Sequence, residues 1–229
     1  MKPLTKPNNP CFSSGPCSKR PGWNSDVLKN IQLGRSHRAA DSMLIIKELI
    51  NKTKLLLNIP ADYKLGIFGG SDTGAFELTM WNLLGKVGVD VIYQEHFGKV
   101  WNTDIIEQLK LDVRTFGVKT FGEIPDYSKI SNDRDLVFTL NGTTSGVCFR
   151  NLDFISKNRN GLTLCDATSA IFSIPIDFSK LDVTTYSWQK SLGGEAQHGI
   201  IILSPKAIER ISSYTPSWPI PKLFQISKN

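Results

Sequence analysis

Leu162-Thr-Leu-Cys-Asp166 and Val183-Thr-Thr-Tyr-Ser187 are two short runs rich in apolar and β-branched residues, each followed by polar ones. Runs of this length and composition are typical of strands buried on both faces of a largely parallel sheet. The segment between them is long enough for one βαβ-like excursion, so both strands can end at the same sheet edge. These two runs predict an α/β fold whose polar strand ends lie together.

The same alternation extends along the chain in both directions. Amphipathic or mixed stretches predict helices over Ala39–Leu57, where apolar residues recur near helical spacing, and over Gly74–Leu84 and Pro205–Ser213. Five further β-rich runs predict strands, at Leu65–Phe68, Val89–Tyr93, Val113–Phe116, Leu136–Leu140 and Gly199–Leu203. The expected architecture is a mostly parallel seven-stranded sheet flanked by helices.

The first forty residues have a different composition, rich in Pro, Gly, Ser and Arg. We therefore expect an extended N-terminal arm over residues 1–40 and one large domain over residues 41–229. The start of the chain has no apolar stretch of the kind found in secretory signals, which favours a cytoplasmic protein. No apolar run is long enough to span a bilayer, so we expect no membrane contact.

Charge and cysteine content exclude two other classes of partner. The net charge is +6, but the basic residues are dispersed and form no block or nucleic-acid motif, so we expect no nucleic acid. Cys11 and Cys17 lack the spacing of a zinc site, and no second ligand pair lies near them. We therefore expect no metal.

Gly69-Gly-Ser-Asp-Thr-Gly74 follows a predicted strand and opens a predicted helix. Glycines allow close approach of a ligand to the backbone, and the free N–H groups at a helix start suit a phosphate. The sequence matches neither a Walker A loop nor the dinucleotide fingerprint. Taken alone, it is better explained as an ordinary strand-to-helix turn, because one glycine-rich turn is weak evidence for a ligand site.

Two further polar residues follow predicted strands. Asp166, in Leu164-Cys-Asp-Ala-Thr-Ser169, ends an apolar strand where open α/β sheets bind ligands; the alternative is a capping role. Lys190, in Ser187-Trp-Gln-Lys-Ser-Leu-Gly-Gly194, sits in a glycine-containing turn. A lysine amine there can form a Schiff base with an aldehyde, and the alternative is a solvated turn lysine.

Together the three features are more specific than any one of them. A phosphate loop, a strand-end aspartate and a strand-end lysine match the three points at which pyridoxal phosphate is held: its phosphate, ring nitrogen and aldehyde carbon. The sequence therefore predicts a pyridoxal-phosphate site.

Several segments resemble the phosphoserine aminotransferase family, in the class V group of fold-type I pyridoxal-phosphate enzymes. The resemblance extends to Tyr214-Thr-Pro-Ser-Trp-Pro and so covers essentially the whole chain. It is carried by Phe12-Ser-Ser-Gly-Pro-Cys17, Leu33-Gly-Arg-Ser-His-Arg38, Asn141-Gly-Thr-Thr-Ser-Gly146, Cys165-Asp-Ala-Thr-Ser169 and Ser187-Trp-Gln-Lys190.

The resemblance implies a role for each matching residue at the cofactor. Lys190 forms the Schiff base and then acts as general base and acid, and Asp166 pairs with the ring nitrogen. Trp101 stacks on the ring, with an ordinary core tryptophan as the alternative, and Thr143 binds the phenolic oxygen. The phosphate-loop positions are those of Ser71 and Asp72, assisted by Gln189.

For the substrate, the resemblance implies contacts from Ser14 and from His37 and Arg38, whose motif reaches into the neighbouring subunit of a homodimer. The implied reaction transfers an amino group between L-glutamate and 3-phosphohydroxypyruvate, giving O-phosphoserine and 2-oxoglutarate. This is a step of serine biosynthesis, and the family's analogous step belongs to pyridoxine biosynthesis.

Family members continue into a small C-terminal domain that is absent from these 229 residues. Two alternatives therefore stay open beside the aminotransferase. One is a non-catalytic fragment that still binds the cofactor. The other is a different class V enzyme, such as an alanine–glyoxylate aminotransferase or a cysteine desulfurase; no cysteine follows Lys190 to serve the latter.

Overall fold

A single sheet of seven strands forms the centre of the protein. A computed structural model describes residues 4–5, 17–31, 34 and 36–226. The strands are β1 (Lys64–Gly69), β2 (Val89–Tyr93), β3 (Val113–Gly117), β4 (Asp135–Thr139), β5 (Thr163–Asp166), β6 (Val183–Ser187) and β7 (His198–Leu203). Their order across the sheet is β1-β7-β6-β5-β4-β2-β3.

Strand direction decides where the polar strand ends meet. Strand β7 runs antiparallel to both of its neighbours, β1 and β6, whereas the pairs from β6 to β3 are parallel. All strands except β7 therefore finish at one edge, which we call the carboxyl edge, and start at the opposite one, the amino edge. In open α/β sheets, ligands bind at the carboxyl edge.

Four α-helices accompany the sheet: α1 (Ala40–Leu56), α2 (Ser71–Leu83), α3 (His96–Thr103) and α4 (Pro205–Ser213). A π-helical turn, Asp104–Gln108, continues α3. Short 3₁₀ turns lie at Ser25–Leu28, Phe178–Lys180 and Lys222–Phe224. The fold class is confirmed, and all seven predicted strands and three predicted helices are present. Helix α2 begins at Ser71 rather than at Gly74, and α3 was not predicted.

The two faces of the sheet carry separate parts of the core. Side chains alternate along each strand, so Val137 packs on one face while Leu136 and Phe138 pack on the other. The first face is covered by α2, α3 and α4. The second is covered mainly by the irregular connections that follow β4 and β5 and by the segment after α1.

Helix α1 forms as predicted but buries none of its residues. Its apolar side chains Met43, Leu44, Ile45 and Leu49 are 39–60% exposed. A soluble helix usually places such a stripe against its own core, so α1 leaves an apolar surface open to a partner. Among the described residues, no helix has the length and apolarity needed to cross a bilayer.

Candidate active site at the carboxyl edge

The loop after β1 opens α2 with unpaired backbone donors. Gly70 has the left-handed φ of 94° and precedes the helix without a side-chain cap. The N–H groups of Gly70 and Ser71 donate to the Gln197 carbonyl at 3.0 and 3.3 Å. The first N–H groups of a helix have no partner within it, which leaves those of Asp72 and Thr73 for a ligand. This helix start is suited to an anion.

Close packing holds that helix start against the sheet. Ser71 forms a backbone bridge with His198 at the start of β7. A Cβ atom added at Gly199 would collide with the carbonyl oxygen of Ser71 and with Ala75. Glycine at this position therefore lets the first turn of α2 lie directly on β7.

Asp166 is the last residue of β5 and is held by two donors. Its Oδ2 accepts from the Trp101 indole Nε1–H at 3.1 Å, and its Oδ1 accepts from the Thr168 N–H at 3.0 Å. Only 5% of its surface is exposed. Its carboxyl group is thus fixed in orientation by two N–H donors.

Lys190 follows β6 in a tight turn. Gly193 donates its N–H to the Lys190 carbonyl at 2.9 Å, and Gly194 donates to the Trp188 carbonyl at 2.8 Å. Lys190 itself is half-buried and forms no ion pair with any residue that the structure describes. A lysine held in this way keeps its amine available for chemistry.

One cavity brings these elements together, and we call it the Lys190 cavity. It contains all seven residues predicted to contact the cofactor, together with Thr73, Phe97 and Thr168. Its lining consists of Ser71, Asp72, Thr73, Phe97, Trp101, Thr143, Asp166, Thr168, Gln189 and Lys190. The roles predicted for these residues stay predictions, but their proximity is a property of the fold.

Several oxygens around the cavity lack a hydrogen-bond partner in the described part of the chain. They belong to the carboxyl of Asp72, the hydroxyls of Thr168 and Thr185, and the side-chain amide of Gln189. Buried polar atoms are almost always paired in native proteins, and exceptions often mark ligand sites. This concentration indicates that the cavity is built to bind a polar group.

Thr143 lies at the exposed rim of the cavity. Its hydroxyl makes a hydrogen bond with the hydroxyl of Ser169. The loop that carries it is tied to the start of α3, because Glu95 accepts from the Thr144 hydroxyl at 3.1 Å and from the Gly98 N–H at 2.7 Å. Thr143 and α3 therefore take up their positions together.

Sequence reasoning missed Phe97, the second aromatic residue of the cavity. Phe97 lies in the first turn of α3 and is 38% exposed. Trp101, one turn later, is 2% exposed, and its ring centroid lies 5.0 Å from that of Phe76. The stacking role expected of Trp101 stays a prediction, since its indole is engaged by Asp166. The i, i+4 spacing of Phe97 and Trp101 is the sequence signal that could have identified Phe97.

The predicted substrate residues lie elsewhere. His37 and Arg38 are exposed ahead of α1 and do not line the Lys190 cavity. Ser14 lies outside the described residues. Cys17, however, donates its N–H to the Gln189 carbonyl at 2.6 Å, and Lys19 donates to the Gly193 carbonyl at 2.7 Å. Residues 17–19 are thereby attached to the turn that carries Lys190.

The sequence profile of the family described as "Aminotransferase class-V" matches residues 23–217. The chain belongs to the class-V aminotransferases. It is 55% identical to a phosphoserine aminotransferase of Methanosarcina barkeri over all of its own length, and spans 62% of that relative. The chain therefore spans less than two thirds of that relative's length.

Two solved phosphoserine aminotransferase structures share the fold of this chain. A phosphoserine aminotransferase from Cytophaga hutchinsonii superposes with a TM-score of 0.70 at 25% identity, over 78% of this chain and 50% of that one. A phosphoserine aminotransferase from Trichomonas vaginalis, solved with pyridoxal phosphate bound, gives 0.72 at 20% identity, over 84% of this chain and 53% of that one. The second likeness concerns the fold alone.

Proposed function

We propose that this chain is the cofactor-binding part of a pyridoxal-phosphate-dependent aminotransferase. The observation that carries the proposal is the Lys190 cavity, which joins a lysine amine, a fixed carboxylate and an open helix start. These groups match the aldehyde, the ring nitrogen and the phosphate of that cofactor. The bound cofactor of the Trichomonas vaginalis relative supports the same assignment.

The residues around the cavity fit the cofactor in charge and hydrogen-bonding capacity. The N–H groups at the start of α2, with Ser71 and Gln189, would hold the phosphate, and Thr143 would bind the phenolic oxygen. Asp166 would pair with the ring nitrogen, and Lys190 would hold the aldehyde carbon. When bound, the cofactor supplies an electron sink for the substrate's Cα.

Protein side chains supply the remaining chemistry. The Lys190 amine would act first as a general base that takes a proton from the substrate's Cα, and then as a general acid that gives the proton up. Asp166 would keep the ring nitrogen protonated, and Trp101 would act as a positioning residue because its indole N–H orients Asp166. Phe97 would cover the ring, since its side chain is exposed at the cavity.

The substrates of the whole enzyme form the next step of the proposal. The amino donor and acceptor would be L-glutamate and 3-phosphohydroxypyruvate, giving 2-oxoglutarate and O-phosphoserine in serine biosynthesis. Identity of 55% to a phosphoserine aminotransferase supports this choice. We include the analogous step of pyridoxine biosynthesis and a cytoplasmic location in the same proposal. The proposal also includes an N-terminal arm over residues 1–40, in which Ser14 would contact the substrate.

Two features of the chain support a homodimer. Helix α1 exposes an apolar stripe that a second copy could cover. His37 and Arg38, immediately ahead of α1, do not line the cavity of their own chain, so they would serve the site of the partner. An Arg fork suits a carboxylate or phosphate. Sedimentation of Leu44→Lys against the unmodified chain tests this: loss of the dimer supports it, and a dimer that withstands the change contradicts it.

The experiment that tests the function is a visible spectrum of the purified chain with pyridoxal phosphate, before and after glutamate. A yellow species that glutamate bleaches would support an aminotransferase half-reaction in this part of the enzyme. A yellow species indifferent to glutamate would favour the cofactor-binding fragment. The Lys190→Arg variant keeps the charge but cannot form the Schiff base, so it is the matched control.

A further inference from the structure

Two carboxyl groups lie side by side in the Lys190 cavity. Asp72 and Asp166 both line this cavity, and they are only 6% and 5% exposed. Neither forms an ion pair with a basic side chain in the described parts of the sequence. Such a pair needs an explanation, because buried carboxylates are normally paired with a cation.

Ionising both Asp72 and Asp166 would cost a large electrostatic free energy. Two like charges in a poorly solvated site repel strongly, and one of the two retains a proton. Each oxygen of Asp166 already accepts a hydrogen bond, one from the Trp101 indole N–H and one from the Thr168 N–H. Neither Asp72 oxygen has a hydrogen bond of ordinary geometry, although the hydroxyls of Thr168 and Thr185 lie near it. The retained proton therefore belongs on Asp72.

We propose that Asp72 is a positioning residue that stays a neutral carboxylic acid and directs its proton toward Asp166. Asp166 is then the hydrogen-bond acceptor of the pair. The pairing of Asp166 with the ring nitrogen of the cofactor rests on the proposed function. The protonation of Asp72 does not, since it follows from the protein groups alone.

This assignment also removes a conflict at the start of α2. Asp72 occupies a position where an anion would bind the helix N-terminus, and an ionised carboxylate there would repel a phosphate. The side chain is instead buried beside Asp166, so only its backbone N–H is left for the anion. A neutral acid keeps that helix start attractive to a negative ligand.

The surrounding groups support the same protonation. Burial first, and the neighbouring Asp166 second, raise the pKa of Asp72 well above its ordinary value. The titratable groups around it are Asp166 and Cys165 of β5, Lys190 after β6, and His198 at the start of β7. From α3 the cavity receives the uncharged rings of Phe97 and Trp101.

The first test measures stability against pH in cofactor-free protein. An acid whose pKa is raised by folding binds its proton more tightly in the folded state, so its contribution to stability falls as pH rises above the ordinary Asp value of about 4. As pH rises above about 4, the unfolding constant of the unmodified chain should rise more steeply than that of Asp72→Asn, by at most about tenfold more per pH unit because a single proton is involved. Glu209→Gln, which neutralises an exposed carboxyl on α4, should show the same slope as the unmodified chain.

Parallel slopes for the unmodified chain and Asp72→Asn would overturn the proposal. A second measurement covers the case in which the variant folds poorly. Infrared spectra of cofactor-free protein carrying ¹³C-labelled aspartate should contain the carbonyl band of an un-ionised acid at pH 7, lost in Asp72→Asn or Asp72→Ser. Absence of the band in the unmodified chain, or its survival in both variants, would overturn the proposal. Neither measurement involves pyridoxal phosphate, so failure of cofactor binding would be seen separately.

Discussion

The two edges of the sheet treat buried charge in opposite ways. At the amino edge, Asp90 is fully buried and accepts from Arg114 at 2.8 and 2.6 Å and from Arg134 at 2.8 Å. At the carboxyl edge, Asp72 and Asp166 are equally inaccessible, yet no basic side chain of the described chain pairs with either. The same sheet thus has one end where the buried carboxyl groups are ion-paired and one end where, among the described residues, they are not.

A second amino-edge pair repeats the pattern. Asp135, at the start of β4, accepts from both terminal nitrogens of Arg210 on α4, at 3.0 and 3.1 Å, and from the Leu162 N–H at 2.7 Å. Carboxyl groups that are paired with an arginine have their hydrogen bonds satisfied within the protein. Buried carboxyl groups without a partner lower the stability of the folded state until a ligand supplies one. The difference indicates that the amino edge serves folding and the carboxyl edge serves binding.

The largest expected effect is at the amino edge. Arg210→Met keeps much of the side-chain volume but leaves Asp135 buried without its cation, and breaking such a pair costs about 3–5 kcal/mol. Urea denaturation would measure the loss in free energy of unfolding. The double variant Arg210→Met with Asp135→Asn should recover part of it, because the uncompensated charge is gone. A loss below about 1 kcal/mol would mean that this pair is energetically no different from a surface one.

Asp90→Asn should have a smaller and pH-dependent effect. Burial alone would raise the pKa of Asp90, but hydrogen bonds from Arg114, the Ser131 N–H and Arg134 outweigh it and hold the pKa below its ordinary value. Since both arginines partly reach water, we expect a loss of about 1.5–3 kcal/mol at pH 7.

The sign of the pH dependence separates Asp90 from Asp72. A carboxyl whose pKa is lowered by folding contributes fully above its unfolded value, about 4, and loses that contribution as pH falls through the folded value. The difference between the unmodified chain and Asp90→Asn should therefore shrink on acidification. A difference that grows on acidification would contradict the pairing described for this edge.

The smallest effect is expected from Phe97→Ala at the carboxyl edge. Because this side chain is partly exposed, its removal should change the free energy of unfolding by no more than about 0.5 kcal/mol. Loss of an aromatic contact should weaken pyridoxal phosphate binding roughly tenfold, measured by titration of tryptophan fluorescence. Phe97→Trp should retain affinity. Unchanged affinity in Phe97→Ala would return the stacking role to Trp101.

Regular hydrophobic runs made the sheet predictable, since buried parallel strands are apolar throughout. Helix α3 was missed because it is short, contains Gly98 and depends on Glu95 as its cap. The exposure of α1 could not be foreseen, because helical spacing of apolar residues does not reveal whether their partner lies within the chain.

The residues of the candidate site were likewise only partly accessible from sequence. Asp166 and Lys190 follow adjacent strands, so their proximity follows from the topology. Strand β1, which precedes Asp72, is separated from β5, which ends at Asp166, by β7 and β6. Asp72 comes close to Asp166 because α2 packs across β7 and β6, and the sequence does not show this packing. The orientation of Trp101 toward Asp166 depends on the π-helical and α-helical turns around it, which sequence patterns do not specify.

The most direct measurement is chemical trapping of the cofactor. The purified chain is mixed with pyridoxal phosphate and reduced with borohydride, which makes a Schiff base permanent, and its peptides are then mapped by mass spectrometry. We expect the pyridoxyl label on the peptide that contains Lys190, and its loss in Lys190→Arg. Label spread over exposed lysines, or unchanged in Lys190→Arg, would contradict a cofactor site at the carboxyl edge.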